Sequence, residues 1–224
     1  MSKKLITGLL ALVALTAFAL PATASATSPE LKDGSGTLVA VGTTVKATNV
    51  GNTVFKGSWG EVVCSSATLH GKVTKNSANG EAIEGTIETA SFTGTSGSGT
   101  QCSGGSLGAV TVTTNIGNGV PWCMRALAGA AHELQIRGNS CANAARSITY
   151  VLHFSSFSCA YERTTLSGPV KGTYTTGDAE GAIATGTNSE FKIETGQSFL
   201  CPAAGSLEMK FLLETATGGT LAIS

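Results

Sequence analysis

Hydrophobic positions recur at every second residue along much of this chain. Leu207, Met209, Phe211 and Leu213 alternate with Glu208, Lys210 and Glu214, with only Leu212 out of phase, and Ile148, Tyr150, Leu152 and Phe154 form a second such row with His153 opposite. A period of two sends one row to a buried face and the other to solvent, which marks a half-buried strand. In the centre, Val120, Trp122, Met124 and Ala126 alternate with Pro121, Cys123 and Arg125. After the small residues 127–131 the pattern resumes as His132, Leu134 and Ile136 against Glu133, Gln135 and Arg137. This pair predicts a hairpin. Leu69 and Val73 share a face with Gly71, which leaves His70, Lys72 and Thr74 on the other side and predicts a solvated His70. Within 83–93 the apolar phase slips between Ile87 and Ala90/Phe92, and a slip of one predicts a β-bulge.

Shorter β-rich runs at 36–50, 53–55, 59–65, 110–114, 159–166, 170–176, 182–193 and 221–223 are separated by turn signals such as Gly51-Asn52, residues 76–80 and 115–119, Gly138-Asn139-Ser140 and Gly218-Gly219. A short helical turn is predicted at 141–146. No segment sustains a helical period, repeats at a fixed interval or reads as a linker between domains. The segment 94–106 is almost only Gly, Ser and Thr around Cys102, a composition that predicts a mobile loop tethered by that cysteine. The expectation is a single all-β domain at 27–224, an antiparallel β-sandwich or flattened barrel of roughly a dozen strands. Alternation assigns faces and leaves strand order open.

Residues 1–26 read differently. Met1-Ser2-Lys3-Lys4 precedes an apolar run over 5–20 and then Ala24-Ser25-Ala26, the layout of a signal peptide with an Ala-x-Ala cleavage site before Thr27. The run is shorter than a membrane span needs and lacks a stop-transfer flank. No transmembrane segment is expected after its removal. Taking 26 residues from 224 leaves 198, and the loss of Lys3 and Lys4 takes the formal charge from 0 to −2. No basic field remains for nucleic acid or an anionic membrane. Charged residues make up 12% of the chain, about half the usual share, so Thr and Ser must supply most of the solvated surface. Thr is β-branched and suits a pleated strand, which strengthens the all-β assignment.

An exported chain with six cysteines predicts a disulfide framework, because thiols pair in an oxidising compartment. Sequence neighbours are the preferred pairs, Cys64 with Cys102, Cys123 with Cys141 and Cys159 with Cys201, since each pair brackets one or two hairpins. A metal site is the rival reading and lacks any C-x-x-C pair. An outer-membrane barrel shares the alternating grammar, but needs strands of about ten residues with lipid-facing apolar bands and aromatic girdles. The strands here are mostly shorter, and aromatics are 6% of the chain.

Candidate chemistry is sparse. The two aspartates beyond the leader, Asp33 and Asp178, lie beside Gly in turn-like contexts, and no nucleophile elbow, zinc-helix or phosphate-loop motif appears. No cofactor or metal is expected. His132, at the end of an apolar row, reads as a packed, hydrogen-bonded residue at the core edge; the sharper alternative joins His132 and His153 with Glu133 or Glu162 in a metal or acid/base site. Arg125, Arg137, Arg146 and Arg163 read either as an oxyanion-binding patch or as cross-strand ion pairs on a solvated face shared with Glu133. Trp122 is expected in the core against a disulfide. Trp59, between Ser58 and Gly60, reads as the more exposed ring and the candidate platform for a glycan.

Pro121-Trp122-Cys123-Met124-Arg125, the run Leu134-Gln135-Ile136-Arg137-Gly138-Asn139-Ser140-Cys141 and the run Cys201-Pro202-Ala203-Ala204-Gly205-Ser206-Leu207 resemble a set of uncharacterised secreted β-rich proteins of high-GC Gram-positive bacteria. The resemblance covers the chain from about Val62 onward and implies secretion and the cysteine positions; it brings no activity and no functional residue. The resulting expectation is a secreted, extracellular or envelope-associated domain with a binding or structural role and no catalysis, its partner an extracellular glycan or cell-surface component. The speculative ligand-binding residues are Arg125, Arg137, His132, Glu133 and Trp59. The alternative is a secreted hydrolase or carbohydrate-active enzyme using Glu133, Glu162 and His132.

Overall fold

The computed structural model describes residues 28–76, 81–96, 99–116, 121–129, 131–139, 141, 147–164, 167–184, 191–195 and 197–224. In chain order the strands are β1 (Leu31–Asp33), β2 (Thr44–Asn49), β3 (Thr53–Gly57), β4 (Gly60–Cys64), β5 (Ser66–Lys75) and β6 (Ala82–Thr93). Then come β7 (Cys102–Ser103), β8 (Ala109–Thr114), β9 (Trp122–Leu127), β10 (Glu133–Gly138), β11 (Ile148–His153) and β12 (Ser158–Arg163). The last are β13 (Val170–Tyr174), β14 (Glu180–Ala184), β15 (Phe191–Ile193), β16 (Ala204–Thr215) and β17 (Leu221–Ile223). The only helix among the described residues is a 3-10 turn at Gly105–Leu107.

The all-β expectation holds, and the architecture corrects its finer form. Eight strands close a barrel in the order β14-β13-β10-β9-β6-β5-β2-β16, with β16 returning to β14. The outer strands complete a second circuit from the same strand, β16-β15-β12-β11-β8-β7-β4-β3 and back to β16. This is neither a simple sandwich nor a flattened barrel of a dozen strands: seventeen strands are present among the described residues.

The twelve-residue β16 makes the double closure possible. Along one edge, Ser206–Glu208 pairs with β3 and Phe211–Thr215 with β2; along the other, Ala204 and Gly205 pair with β15 and Glu208–Leu212 with β14. β2 and β3 therefore follow one line interrupted at residues 50–52, where Gly51 takes the left-handed conformation at φ 80° that a Cβ would disfavour. Asn49 stitches this kink. Its Nδ2 donates to the carbonyls of Gly51 (2.5 Å) and Ser65 (3.1 Å), and its Oδ1 accepts from the Ala67 amide (2.8 Å). Single alternating runs thus divide between two closures, which period-2 reasoning alone does not resolve.

Local expectations fared better. In the β5–β6 ladder His70 faces Thr89 while Gly71 faces Ile87, leaving Glu88 as the extra residue of the expected bulge; a second shift falls between Val73 and Lys75. β9 and β10 form the predicted hairpin, with Arg137 opposite Cys123. The three disulfides join Cys64 to Cys102, Cys123 to Cys141 and Cys159 to Cys201. The segment 94–106 is more structured than its composition predicts, with a Ser96–Gln101 bridge, β7 and the 3-10 turn, because the disulfide at Cys102 fixes it beside β4. The helical turn expected at 141–146 and the signal peptide expected at 1–26 lie outside the described residues, apart from Cys141.

The two circuits share one apolar core, filled differently. Inside the barrel sit mainly aliphatic side chains: Val45, Leu69, Val73, Ile83, Ile87, Leu134 and Ile136. Inside the second circuit, aromatic rings pack against one another edge-on, tilted or stacked. Phe55 lies 5.4 Å from Phe92 and 4.9 Å from Tyr150, and Tyr150 lies 5.3 Å from Tyr161 and 4.8 Å from Phe191. Each such pair adds about 1 kcal/mol beyond its buried area.

A hollow aliphatic interior and a polar outer ladder

The barrel's apolar interior holds a cavity of about 70 Å³. Its wall includes Ala47, Leu69, Ile83, Ala126, Leu134 and Phe211, and the small side chains at 47 and 126 leave space beside these large ones. Gly181 lets the Phe211 ring lie against the wall, since a Cβ there would come within 2.4 Å of it. At one end the two-stranded ribbon of β1 and β17 brings Leu31 and Ile223 to the cavity. Asn76 holds this ribbon down. Its buried side chain accepts from the Leu31 amide (2.9 Å) and donates to the carbonyls of Leu31 (2.7 Å), which also accepts from the Val39 amide, and of Val39 (2.9 Å), tying β1 to the segment that follows it. The one side-chain hydroxyl at the wall with a long reach, Tyr174, is committed to the Leu127 carbonyl at 2.8 Å.

The barrel exterior is the polar counterpart. Arg125 approaches Glu84 at 3.0 Å, although its Nε lacks the alignment of a hydrogen bond. Lys171 pairs with Glu133 at 3.3 Å, Lys46 with Glu214 at 3.3 Å and Lys210 with Glu180 at 2.7 Å. Gln135 donates to Glu133 at 2.5 Å and accepts from Arg137 at 2.8 Å. The Gln135 hydrogen bond first, then Lys171, holds the Glu133 carboxyl below the usual carboxylate range. Apolar inside and charged outside is the reverse of a lipid-spanning barrel, whose outer band is apolar.

The structure distributes the sequence candidates rather than gathering them. Arg125, Arg137 and Glu133 do share one outer face, as ion pairs and amide bridges. Arg163 stands elsewhere: buried on β12, it donates to the carbonyls of Ser167, Gly168 and Pro169, a clamp on the following loop, and burial lowers its pKa. Arg146 lies outside the described residues. His132 immediately precedes β10, outside the strand row expected to carry it; its backbone is left-handed (φ 45°) and its half-buried ring stacks on Tyr174 at 5.0 Å. His153 is on β11 in the other circuit, held between Thr113 Oγ1 and Ser158 Oγ at 2.9 Å each. Glu162 is on β12, opposite Lys192 of β15. The sites that would combine His132 with His153 or Glu162 are not assembled, and no cluster of metal-ligating side chains occurs among the described residues.

Trp59 is, as expected, the more exposed of the two tryptophans. Its ring is half-buried, donates from Nε1 to the Tyr161 hydroxyl at 3.1 Å and meets Phe154 edge-on at 5.8 Å. Gly57 permits this: a Cβ there would lie 2.7 Å from the indole, so the β3–β4 turn folds the ring back over the glycine. Trp122 is buried as expected, with Nε1 donating to Asn115 Oδ1 at 2.8 Å. Asp33 has the turn role expected, its Oδ1 accepting from the Ser35 and Thr37 amides at 2.9 Å each. What sequence reasoning missed is the cavity. Its signal was Ala47 and Ala126 on rows otherwise occupied by large side chains; Gly71 and Gly85, also at the wall, are required where the β5 and β6 backbones approach, since a Cβ would lie 1.7 Å from the Thr86 carbonyl oxygen and 3.1 Å from that of Lys72.

Fold and site together define a disulfide-braced all-β protein with a closed, apolar-cored barrel. Comparison with protein-family models, with curated proteins and with solved structures finds no match for this chain.

Proposed function

We propose that this is an exported, non-catalytic binding domain of the extracellular space or cell envelope, with the barrel interior as its binding site. One observation carries the reading: a closed barrel whose aliphatic interior is left hollow by small residues, inside an exterior covered with ion pairs. A dry apolar cavity forgoes packing contacts, so it stands as a standing offer to an apolar guest. The signal-peptide layout of residues 1–26 and the three disulfides support export.

The hydrolase alternative draws no support from Glu133, which is kept ionised by Gln135 and Lys171, whereas a general acid needs a raised pKa. The test is a paired assay on the purified chain lacking residues 1–26. Expected are saturable binding of small apolar solutes and no turnover of glycan or peptide substrates. Reproducible turnover, or no uptake of any apolar solute, would overturn the reading.

A further inference from the structure

We infer that the barrel cavity takes a single slender saturated hydrocarbon chain and rejects rings. The inference rests on the interior being the binding site and adds the chemical class of its occupant. Three features of the wall select for it.

The first is polarity. The wall is overwhelmingly apolar; of the polar residues that reach it, Glu84 and Glu180 have their carboxylates taken by Arg125 and Lys210, and His70 and Thr86 stand on the outward rows of β5 and β6. The Tyr174 hydroxyl is spent on the Leu127 carbonyl. A guest's polar group would therefore lose its water and gain no hydrogen bond, at a cost of about 1–3 kcal/mol or more. Only hydrocarbon is accepted at depth. The second is size: about 70 Å³ is roughly half of the ~150 Å³ apolar cavity that accommodates benzene, so a few methylenes fit where a six-membered ring does not. The third is adaptability. Met124 lines the cavity and is half-buried, and its unbranched thioether can follow a flexible chain more readily than a branched wall can open for a rigid ring.

The methionines provide the readout. The chain beyond residue 26 contains only Met124, at the cavity, and Met209, in the core away from it. With both ε-methyls labelled, the protein is titrated with straight-chain alcohols from 1-butanol to 1-octanol and, separately, with benzene and cyclohexanol. The expected result is a saturable shift of the Met124 signal with Met209 unmoved, and an affinity that tightens about fourfold per added methylene before levelling off as the chain outgrows the cavity. Ala126→Leu, or Ala47→Val should the first fail to fold, is expected to abolish the shift.

If benzene or cyclohexanol binds as tightly as the chain of equal carbon number, the occupant class is wrong while the interior remains a binding site. If alcohols bind with Met124 unmoved, or bind undiminished to a folded filled variant, the chain lodges elsewhere and the inference fails. If no solute binds, the interior reading fails and takes the inference with it.

Discussion

The two closures of this protein solve the same packing problem in opposite ways. The barrel is held by long ladders: β5 pairs with β6 from Ser66 to Lys75, and β9 with both β6 and β10. Its interior is aliphatic and hollow. The second circuit has ladders as long as β11–β12 but closes through its thinnest ones, a single residue pair between β4 and β7 and two between β12 and β15. Its interior is packed with aromatic rings, and it carries two of the three disulfides, Cys64–Cys102 and Cys159–Cys201. A region with strong backbone pairing can leave space inside. A region with thin pairing needs its filling and its covalent braces. The division locates stability in one half and capacity for a guest in the other.

The sharpest way to break the comparison is to remove what holds the second circuit. The loops closed by Cys64–Cys102 and Cys159–Cys201 span 38 and 42 residues, that of Cys123–Cys141 only 18. Paired Cys→Ser replacement should therefore cost about 4 kcal/mol for either long-loop bridge and about 3 for the short one on chain-entropy grounds. Denaturant midpoints read the difference, and hydrogen exchange should show β11 and β12 losing protection before β5 and β6. Phe55→Ala, which removes a ring touching Phe92 and Tyr150, should cost about 4 kcal/mol in the same assay.

Adding atoms should separate the halves next. At Gly205 a Cβ would lie 2.5 Å from the Tyr150 hydroxyl, so Gly205→Ala should destabilise by about 1–3 kcal/mol. Ala126→Val, which adds bulk toward the cavity, should be neutral or stabilising by about 0.5–1 kcal/mol. Thermal unfolding of the two variants checks the sign, and equal losses would mean the barrel is as full as its neighbour.

Effects of about the same small size concern two tyrosine hydroxyls. That of Tyr150 is buried without a partner, so Tyr150→Phe should stabilise by about 1 kcal/mol; Tyr174→Phe gives up the bond to Leu127 and should lose about 1 kcal/mol. Burial, helped by the neighbouring Tyr161, pushes the Tyr150 pKa far above the ordinary tyrosine value. Its folded pKa being raised, the stability it contributes is whole below about pH 10 and is lost as pH rises further, at about 1.4 kcal/mol per unit. The Tyr150→Phe variant should show a shallower alkaline decline.

Much of this was legible in the sequence at the level of faces. Rows such as Leu207, Met209 and Phe211 mark buried sides because the strand period is two, and the slip after Ile87 marks a bulge because one extra residue reverses that phase. The disulfide pairs followed from neighbours bracketing hairpins. Closure was not legible, because whether β16 serves one sheet or two depends on the kink at Gly51 and the Asn49 hydrogen bonds, and neither alters the alternation. β1 and β7, at three and two residues, are too short to show a period. At the site, the outer face shared by Arg125, Arg137 and Glu133 was legible from alternation, whereas His132 falls before β10 rather than on its apolar row, and the fold of the Trp59 ring over Gly57 left no mark on the alternation. The cavity escaped notice because a missing side chain is visible only once its neighbours across the barrel are known.

The most direct test of the hollow barrel is xenon binding, followed in crystals under xenon pressure. The account predicts a xenon atom inside the barrel among Ala47, Ala126 and Phe211, and none among the rings around Tyr150. An empty barrel, or xenon lodged in the aromatic circuit instead, would contradict it.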